Sequence, residues 1–328
     1  MGLLVRGQWV DRWYDTEATG GEFLREDAQF RSWITPDGAA GPSGEGGFRA
    51  ESGRYRLYVS HACPWAHRTL IYRHVKGLDA HIPVSVVHWH MGEDGWTFAP
   101  GPGVIPDPEL GAGFMHEIYT AARADYTGRV TVPVLWDRER RTIVNNESAE
   151  IIRMMDSAFE AIAPGRPRLA PEASIDAIDA INARVYDAVN NGVYKCGFAS
   201  RQDVYERHVR GLFEALDELE SRLGGQRYLL GATITEPDWR LFTTLLRFDS
   251  VYVGHFKCSL RRIVDYPNLW GYLRDLYQQP GITETVHMDH IKNHYYGSHE
   301  TLNPKGIVPV GPELRWESAH QRERLSGD

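Results

Sequence analysis

The chain has 328 residues, three cysteines and a formal net charge of -8 at pH 7, so it is neither a small disulfide scaffold nor a strongly basic protein. At about 150 residues per domain, this length predicts two domains that can each bury a hydrophobic core. The acidic balance disfavours binding to nucleic acid or anionic lipid, and no apolar run approaches the roughly 18 residues of a membrane helix.

The N-terminal arm, residues 1–53, is predicted to be extended, because most of it is rich in Gly, Ser, Thr and Asp. The alternating segment 54–59 predicts a β-strand that leads to Cys63. Pro64 suits the first turn of a helix, where its missing N–H costs nothing, and residues 65–76 contain no helix breaker. The sequence therefore predicts a strand, a cysteine and a helix in succession.

Three further strands and a helix complete the predicted first domain, residues 54–163. The strands are predicted at 83–87, 130–136 and 141–144. The helix begins at Ser148. The segment 89–128 is too long for a plain connection, and we interpret it as an insertion of loop and helix. This order predicts an α/β domain with a mixed sheet.

Strand signals stop at the Pro-rich linker 164–171, and helical periodicity takes over. Apolar residues recur at intervals of three and four positions in 175–189 and again in 209–223, as on the buried face of a helix. We therefore expect an all-helical second domain over 172–295, followed by a C-terminal tail, 296–328.

The clearest helix start in this half is the capping-box pattern of Thr235 and Asp238. A hydroxyl at the N-cap and an acidic side chain three residues later can satisfy backbone N–H groups that the start of a helix leaves without partners. This pattern predicts a helix over 236–248.

Cys63 is the most informative residue, because it lies directly before the first turn of a predicted helix. Backbone N–H groups and the positive end of the helix dipole both stabilise a thiolate there, and cysteines so placed can have pKa values of about 3.5–7.5. Ala66 occupies the position of a second, resolving cysteine, so no local disulfide can form. A mixed disulfide at Cys63 would need an external thiol, which indicates glutathione chemistry.

The other cysteines, Cys196 and Cys258, do not lie at a predicted strand-to-helix turn, and we interpret both as core residues. An odd number of widely spaced cysteines is typical of a reducing compartment, in which thiols stay reduced. We therefore expect a cytoplasmic protein, with neither export nor membrane insertion.

His88, His90 and Glu93 resemble a metal-ligand cluster, because alternate residues of a strand share one face. No second set of ligands follows downstream, so we expect no metal. The sequence contains neither a GxGxxG motif nor a Walker motif, and we expect no nucleotide cofactor.

Several motifs together resemble a known family. They are the Cys-Pro-Trp-Ala turn at 63–66, the Thr-Val-Pro-Val segment at 131–134 and the Asn-Glu-Ser-Ala-Glu helix start at 146–150. With an all-helical second half, they look like a cysteine-type glutathione transferase. More narrowly, the chain resembles the glutathionyl-hydroquinone reductases, the Xi class, through four more segments. These are 95–98, 190–195, 248–253 and 290–295.

The resemblance implies a thioredoxin-like N-terminal domain that binds glutathione, followed by an all-helical glutathione-transferase C-terminal domain. Pro133 would be the cis-proline of that fold, and Val132 would offer its backbone groups to the cysteinyl part of glutathione. Ser148 would bind the γ-glutamyl carboxylate and Glu147 the ammonium group; an ordinary helix N-cap would explain Ser148 but not Glu147. The implied glutathione-binding residues are Trp96, Arg129, Val130, Thr131, Val132, Glu147 and Ser148.

The resemblance also implies that Tyr194, Tyr252 and Tyr295 surround an aromatic substrate that faces Cys63. Tyr296 adjoins Tyr295, and the choice between these two stays open. A phenol can donate or accept a proton at carbon or oxygen, and the implied proton donor and acceptor is Tyr194. The family also implies a homodimer.

The implied reaction is the reduction of glutathionyl-hydroquinones to hydroquinones. The Cys63 thiolate attacks the thioether sulfur, the hydroquinone leaves, and a second glutathione releases glutathione disulfide from the mixed disulfide. The implied partners are thus glutathione and aromatic glutathione conjugates.

Two other functions stay open at this point. A broader omega-like, glutathione-dependent thiol transferase or dehydroascorbate reductase would use Cys63 but not the three tyrosines. A transferase fold used only as an interaction module is the non-enzymatic alternative. The presence of Cys63, Glu147 and Ser148 argues against this module, because it has no need of a glutathione site.

Overall fold

The computed structural model describes residues 2–326, and the contacts among them divide the chain into two units. Unit 1 comprises the chain up to Trp13, Glu26–Pro167 and Thr285–His299, and unit 2 comprises Tyr14–Arg25, Arg168–Glu284 and the chain from Glu300 onward. Each unit is therefore assembled from segments that are far apart in the sequence.

The secondary structure differs sharply between the units. Within the described residues, the strands are β1 (Leu3–Val5), β2 (Gln8–Val10), β3 (Tyr55–Val59), β4 (Val84–Val86), β5 (Met91–Gly92), β6 (Gly95–Trp96), β7 (Gly128–Arg129), β8 (Val134–Asp137) and β9 (Thr142–Asn145). The helices are α1 (Pro64–Val75), α2 (Met115–Ala122), α3 (Ser148–Ser157), α4 (Ile175–Val185), α5 (Gly192–Gly197), α6 (Gln202–Gly225), α7 (Glu236–Arg247), α8 (Pro267–Tyr277) and α9 (Met288–Ser298). All these strands lie in unit 1 with α1, α2, α3 and α9, whereas α4 to α8 lie in unit 2.

The central sheet of unit 1 has four strands in the order β4-β3-β8-β9. β3 is parallel to β4 and antiparallel to β8, which in turn pairs with β9 in antiparallel fashion. The mixed α/β domain predicted from the sequence is therefore confirmed. α1 and α3 pack against each other, and Lys76, the C-cap of α1, forms a buried ion pair of 3.1 Å with Asp156 of α3.

One strand begins later than predicted. The sequence predicts a strand over 130–136, but β8 begins only at Val134. Pro133 has no backbone N–H to donate to a neighbouring strand, and the Val132–Pro133 peptide bond is cis. Residues 130–133 therefore form a loop that leads into β8.

The N-terminal arm contains a β-hairpin that the sequence analysis missed. β1 pairs with β2 and also with β7, which forms a second, three-stranded sheet. Arg6 and Gly7 make the turn, both with positive φ. A Cβ atom at Gly7 would lie 2.0 Å from the carbonyl oxygen of Ala124, so glycine is required there. Strands of three residues are too short to show a periodic pattern.

Unit 2 is helical, which confirms the prediction for the second half. The capping box is also confirmed: the Thr235 backbone N–H donates to the Asp238 carboxylate at 2.8 Å, and α7 begins at Glu236. Two π-helical turns, Tyr186–Asn190 and Phe248–Tyr252, follow α4 and α7. Such turns are rare and occur often at functional sites.

The predicted domain boundaries stay a prediction. The predicted helical domain, 172–295, includes most of α9, whereas the contacts of the chain group α9 with unit 1. The arm 1–53 contributes to both units, since Tyr14–Arg25 belongs to unit 2. None of the helices in residues 2–326 combines the length and hydropathy that a membrane span requires.

Candidate active site

Cys63 lies at the N-cap of α1, with Pro64 at the first helical position. The backbone N–H of Ala66 donates to the Cys63 sulfur at 3.5 Å, and the sulfur lies 3.4 Å from the carbonyl oxygen of Val132. The N–H contact favours a thiolate, whereas the carbonyl accepts the proton of the thiol form. The side chain is partly exposed, so reagents can reach it.

The loop opposite Cys63 is held by one buried tyrosine. The Tyr119 hydroxyl donates to the Thr131 carbonyl at 3.0 Å and accepts from the Thr131 N–H at 3.2 Å. The side-chain amide of Asn146 also donates to this hydroxyl, at 3.1 Å. Burial raises the pKa of Tyr119, so the hydroxyl stays protonated at neutral pH. Val130 and Val132, on either side of Thr131, are buried.

The start of α3 carries the other predicted glutathione contacts. Glu147 is the N-cap, and its carboxylate accepts from the Ala149 N–H at 2.9 Å and from the Ser148 hydroxyl at 3.5 Å. Ser148 is therefore the first residue of α3, where the sequence predicts the helix to begin, and the N-cap is Glu147. Asn145 fixes this turn by accepting from the Glu147 N–H at 2.7 Å. A helix N-terminus beside a carboxylate can hold an amino acid group, since it offers N–H groups to an anion and oxygen to an ammonium.

Trp96 and Arg129 lie on short strands of unit 1. The indole of Trp96 is buried and stacks on His294 of α9, with ring centroids 4.8 Å apart. The Arg129 guanidinium donates to the carbonyl of Arg12 at 2.5 Å. These contacts position both side chains, while their predicted role in closing over glutathione stays a prediction.

Three histidines next to the cysteine turn form a cluster that the sequence analysis missed. His61 stacks on His287 with ring centroids 3.6 Å apart, and its centroid lies 5.2 Å from that of His290. Burial, reinforced by these two neighbours, lowers the pKa of His61 to about 3, so the ring is neutral at pH 7. In residues 2–326, no group of three or more His, Cys, Asp or Glu side chains is arranged to hold a metal ion.

Tyr295 belongs to α9 and is buried in unit 1. Its ring packs against those of His294 and His299, with centroids 5.4 and 5.5 Å away. Tyr296 is also buried, at 9% exposed against 2% for Tyr295. Both tyrosines remain candidates for the substrate contact, and the choice between them stays a prediction.

Tyr194 and Tyr252 belong to an aromatic cluster within unit 2. Their ring centroids lie 6.1 Å apart, and each lies 5.4 Å from the ring of Phe256. Cys196 and Cys258 are buried in the same unit, in agreement with their interpretation as core residues. Burial raises the pKa of the Cys258 thiol and keeps it protonated.

The sequence reasoning missed Tyr119 and the His61 cluster for one reason. Tyr119 lies in the segment 89–128 but outside the motifs noted there, and its partners Thr131 and Asn146 are 12 and 27 residues away. No short-range pattern records such contacts. Asn146 was visible only as part of the motif at 146–150.

Family models match both halves of the chain. The model described as "Glutathione S-transferase, N-terminal domain" matches residues 62–158, and the one described as "Glutathione S-transferase, C-terminal domain" matches residues 202–275. These matches confirm the predicted fold class, a thioredoxin-like domain with a mixed sheet followed by an all-helical domain.

Relatives match over almost the whole length. The chain is 55% identical to the glutathionyl-hydroquinone reductase YqjG of Escherichia coli over 98% of this chain and 99% of that protein. It is 51% identical to the glutathionyl-hydroquinone reductase PcpF of Sphingobium chlorophenolicum, over 95% of this chain and 96% of that protein.

Solved structures agree with these relatives. The glutathione-bound structure of YqjG superposes with a TM-score of 0.91 at 52% identity, covering 98% of this chain and 99% of that one. A Xi-class transferase from Natrialba magadii gives a TM-score of 0.91 at 46% identity, covering 100% and 98%. The chain therefore belongs to the glutathione transferase family and, within it, to the Xi class that includes the glutathionyl-hydroquinone reductases.

Proposed function

We propose that this protein uses glutathione to reduce glutathionyl-hydroquinones to hydroquinones. The observation that carries this proposal is the 55% identity, over almost the full length of both chains, to a protein named for that activity. The position of Cys63 at the N-cap of α1 supports it, because a sulfur placed there is suited to nucleophilic attack.

Glutathione is the proposed co-substrate, and the glutathione-bound structure of YqjG supports this choice. The Val132 backbone binds the cysteinyl part of the tripeptide. The N-terminus of α3 at Ser148 binds the γ-glutamyl carboxylate, and the Glu147 carboxylate binds its ammonium group. Trp96 and Arg129 close over the tripeptide by packing and by charge.

The first half-reaction removes the hydroquinone. A proton moves onto the ring carbon that bears the sulfur while a ring hydroxyl loses one, so the ring becomes a ketone tautomer. The Cys63 thiolate then attacks the thioether sulfur, and the electrons of the carbon–sulfur bond return to the ring. The ring oxygen takes up a proton, the hydroquinone leaves, and Cys63 is joined to glutathione in a mixed disulfide.

The second half-reaction restores the enzyme. The thiolate of a free glutathione attacks the mixed disulfide at the sulfur of the bound glutathione, and the Cys63 thiolate leaves. The products are glutathione disulfide and active enzyme. Over one cycle the conjugate gains two electrons, which come from forming one disulfide bond.

Three tyrosines serve the aromatic ring in this proposal. Tyr194 donates and accepts the protons of the tautomerisation, because a phenol can exchange a proton with carbon or oxygen. Tyr252 and Tyr295 contact the ring and orient it. Ala66 stands at the position where a dithiol enzyme has a second cysteine. Its presence supports resolution of the mixed disulfide by external glutathione.

Intact mass spectrometry tests the first half-reaction directly. The protein is mixed with a conjugate of glutathione and 1,4-hydroquinone in the absence of free thiol. We expect an adduct of about 305 Da, the mass of glutathione less two hydrogens, together with one equivalent of hydroquinone. Adding free glutathione then removes the adduct and yields glutathione disulfide.

Cysteine variants provide the controls for this experiment. Cys63→Ser gives no adduct, whereas Cys258→Ala, which removes a buried thiol, gives the same adduct as the wild type. Hydroquinone release without an adduct, or an adduct that persists in Cys63→Ser, would contradict the proposal.

We also propose that the protein is a cytoplasmic homodimer without a metal or nucleotide cofactor. The three widely spaced cysteines support a reducing compartment, and the resemblance to two-domain transferases supports the dimer. Light scattering coupled to size-exclusion chromatography measures the assembly mass, and a monomer of 37.3 kDa would refute the dimer.

A further inference from the structure

An arginine of the N-terminal arm lies over the ring of Tyr194 in unit 2. The guanidinium carbon of Arg25 is 4.6 Å from the centroid of that ring. The Nε atom of Arg25 donates to the side-chain oxygen of Asn191 at 2.8 Å, which fixes the guanidinium in this position. Phe23 borders both groups, with its centroid 5.1 Å from the guanidinium and 6.3 Å from that of Tyr194.

The motif before Tyr194 explains how this geometry is held. The Asn190 side chain donates to the Arg240 carbonyl at 3.0 Å and to the Thr244 hydroxyl at 2.7 Å, both on α7. Asn190 therefore holds the π-helical turn Tyr186–Asn190 against α7. Its neighbour Asn191 holds the N-terminal arm in place through the bond to Arg25. The two consecutive asparagines thus set where Arg25 lies relative to Tyr194.

The surroundings of Tyr194 make a negative charge on its oxygen unfavourable without help. The side chain is only 8% exposed, and aromatic rings of Phe23, Phe198 and Phe256 pack against it. Apolar surroundings disfavour a phenolate. A guanidinium stays charged throughout the physiological pH range and attracts the electron-rich face of a phenol, and more strongly that of a phenolate.

Two other basic side chains close to this cluster are engaged or neutral. Lys195, next to Tyr194 on α5, pairs with Asp187 at 2.5 Å. His255 lies beside Phe256, and burial lowers its pKa to about 4, so it is neutral at pH 7. Arg25 is a cation that the described part of the chain places over the ring of Tyr194.

We infer that Arg25 is a positioning residue for proton transfer by Tyr194. The inference rests on the proposed function, in which Tyr194 gives its hydroxyl proton to the ring carbon that bears sulfur. Tyr194 is then a phenolate until it takes the proton of a ring hydroxyl. The guanidinium stabilises that phenolate, and Asn191 holds the guanidinium in place.

Steady-state kinetics with the glutathione conjugate of 1,4-hydroquinone tests this role. The phenolate forms only after the substrate has bound, so Arg25→Met lowers kcat by about tenfold and leaves KM within about twofold. Arg25→Lys keeps the charge and recovers most of kcat. In a Tyr194→Phe background, Arg25→Met has no further effect, because the group it acts on is gone.

Two controls separate this role from a structural one. Arg261→Met removes a guanidinium that lies 4.7 Å from the ring of another tyrosine in unit 2, Tyr266, and leaves kcat unchanged. The exchange of Cys63 with 2-hydroxyethyl disulfide needs no phenolate, so Arg25→Met leaves its rate unchanged.

Several outcomes would overturn the inference. They are an unchanged kcat in Arg25→Met, an equal loss in the Tyr194→Phe background, and an equal loss in disulfide exchange. If Arg25→Met does not fold, Asn191→Ala tests the inference instead. This variant releases the guanidinium that Asn191 holds, so it must also lower kcat. A wild-type enzyme that leaves the conjugate intact would refute the proposed function itself, which is a different result.

Discussion

The loop opposite Cys63 in unit 1 and the aromatic cluster around Tyr194 in unit 2 are built on different physical principles. The loop is fixed by directional hydrogen bonds, three of which meet at the hydroxyl of Tyr119. The cluster is fixed by ring packing, with neighbouring ring centroids 5.4 to 6.3 Å from that of Tyr194. The loop depends on a few polar atoms whose hydrogen-bonding capacity is fully used. The cluster depends on the shape and charge of the surroundings of its rings.

This difference predicts how each region responds to change. Removing one atom from a saturated hydrogen-bond centre leaves several buried groups without partners, so both stability and binding suffer. Removing one hydroxyl from a ring cluster leaves the packing intact, so only chemistry that uses the hydroxyl is lost. The four predictions below test this contrast, from the largest expected effect to the smallest.

Tyr194→Phe tests whether the cluster can lose chemistry without losing structure. We expect the rate of hydroquinone release to fall by about 10² to 10⁴, as is typical when a general acid–base group is removed. Disulfide reduction at Cys63 and the free energy of unfolding stay close to wild type. Unchanged rates on both substrates would instead favour the broader thiol transferase or dehydroascorbate reductase, which does not use Tyr194.

Tyr119→Phe tests the loop. The Thr131 N–H and the Asn146 amide lose their acceptor in a buried site, and we expect a loss of about 3 kcal/mol in the free energy of unfolding, measured with urea. The KM for glutathione rises, because the loop that contains Val132 is no longer held by Tyr119. Tyr55→Phe is the matched control. The Tyr55 hydroxyl donates one hydrogen bond, to the Arg49 carbonyl at 2.6 Å, and losing it costs about 1 kcal/mol in the free energy of unfolding.

The pH dependence of stability compares a histidine from each unit. The pKa of His61 is lowered to about 3, and that of His255 to about 4, both by burial. The unfolded chain binds a proton at each site below about pH 6.5, whereas the folded chain does so only below about pH 3 at His61 and about pH 4 at His255. The contribution of the two neutral histidines to the free energy of unfolding is therefore fully present above about pH 6.5 and is lost as the pH falls.

Replacing either histidine by asparagine flattens this dependence. At pH 5 each histidine accounts for a loss of about 2 kcal/mol relative to pH 7, measured by urea unfolding of wild type and variant. Below pH 4 the loss due to His255 levels off, while that due to His61 continues toward pH 3. An unchanged pH profile in His61→Asn would contradict the burial of a neutral ring in the His61–His287 stack.

Thr235→Ala gives the smallest effect. The Thr235 hydroxyl lies 3.0 Å from the Asp238 carboxylate in the capping box of α7, and its loss costs about 1 kcal/mol. Ser259→Ala, at an exposed hydroxyl, is the control and changes the free energy of unfolding by less than about 0.5 kcal/mol. A loss in Thr235→Ala no larger than in the control would show that the cap contributes nothing to stability.

Features that depend on neighbours in the sequence could be predicted. The Cys63–Pro64 pair indicates a helix start, and the structure places Cys63 at the N-cap. The Thr235–Asp238 pattern likewise gives the start of α7 to the residue. Both follow from the backbone N–H groups that any helix start leaves without partners.

Features that depend on distant residues could not be predicted. Tyr119 with Asn146, and Arg25 with Tyr194, are contacts between segments that carry no common pattern. The start of α3 at Ser148 was predicted, but its N-cap, Glu147, was not, for a different reason. Glutamate is not among the side chains preferred at an N-cap.

The return of α9 to unit 1 has a consequence for biosynthesis. The central sheet is complete once the ribosome has passed Asn145, but Ile291 and Tyr295, which are buried in unit 1, emerge only after α4 to α8 of unit 2. At about 5–20 residues per second, this delay is on the order of ten seconds. The nascent chain must therefore keep an apolar surface uncovered for that time, which makes a truncated or stalled product prone to aggregate.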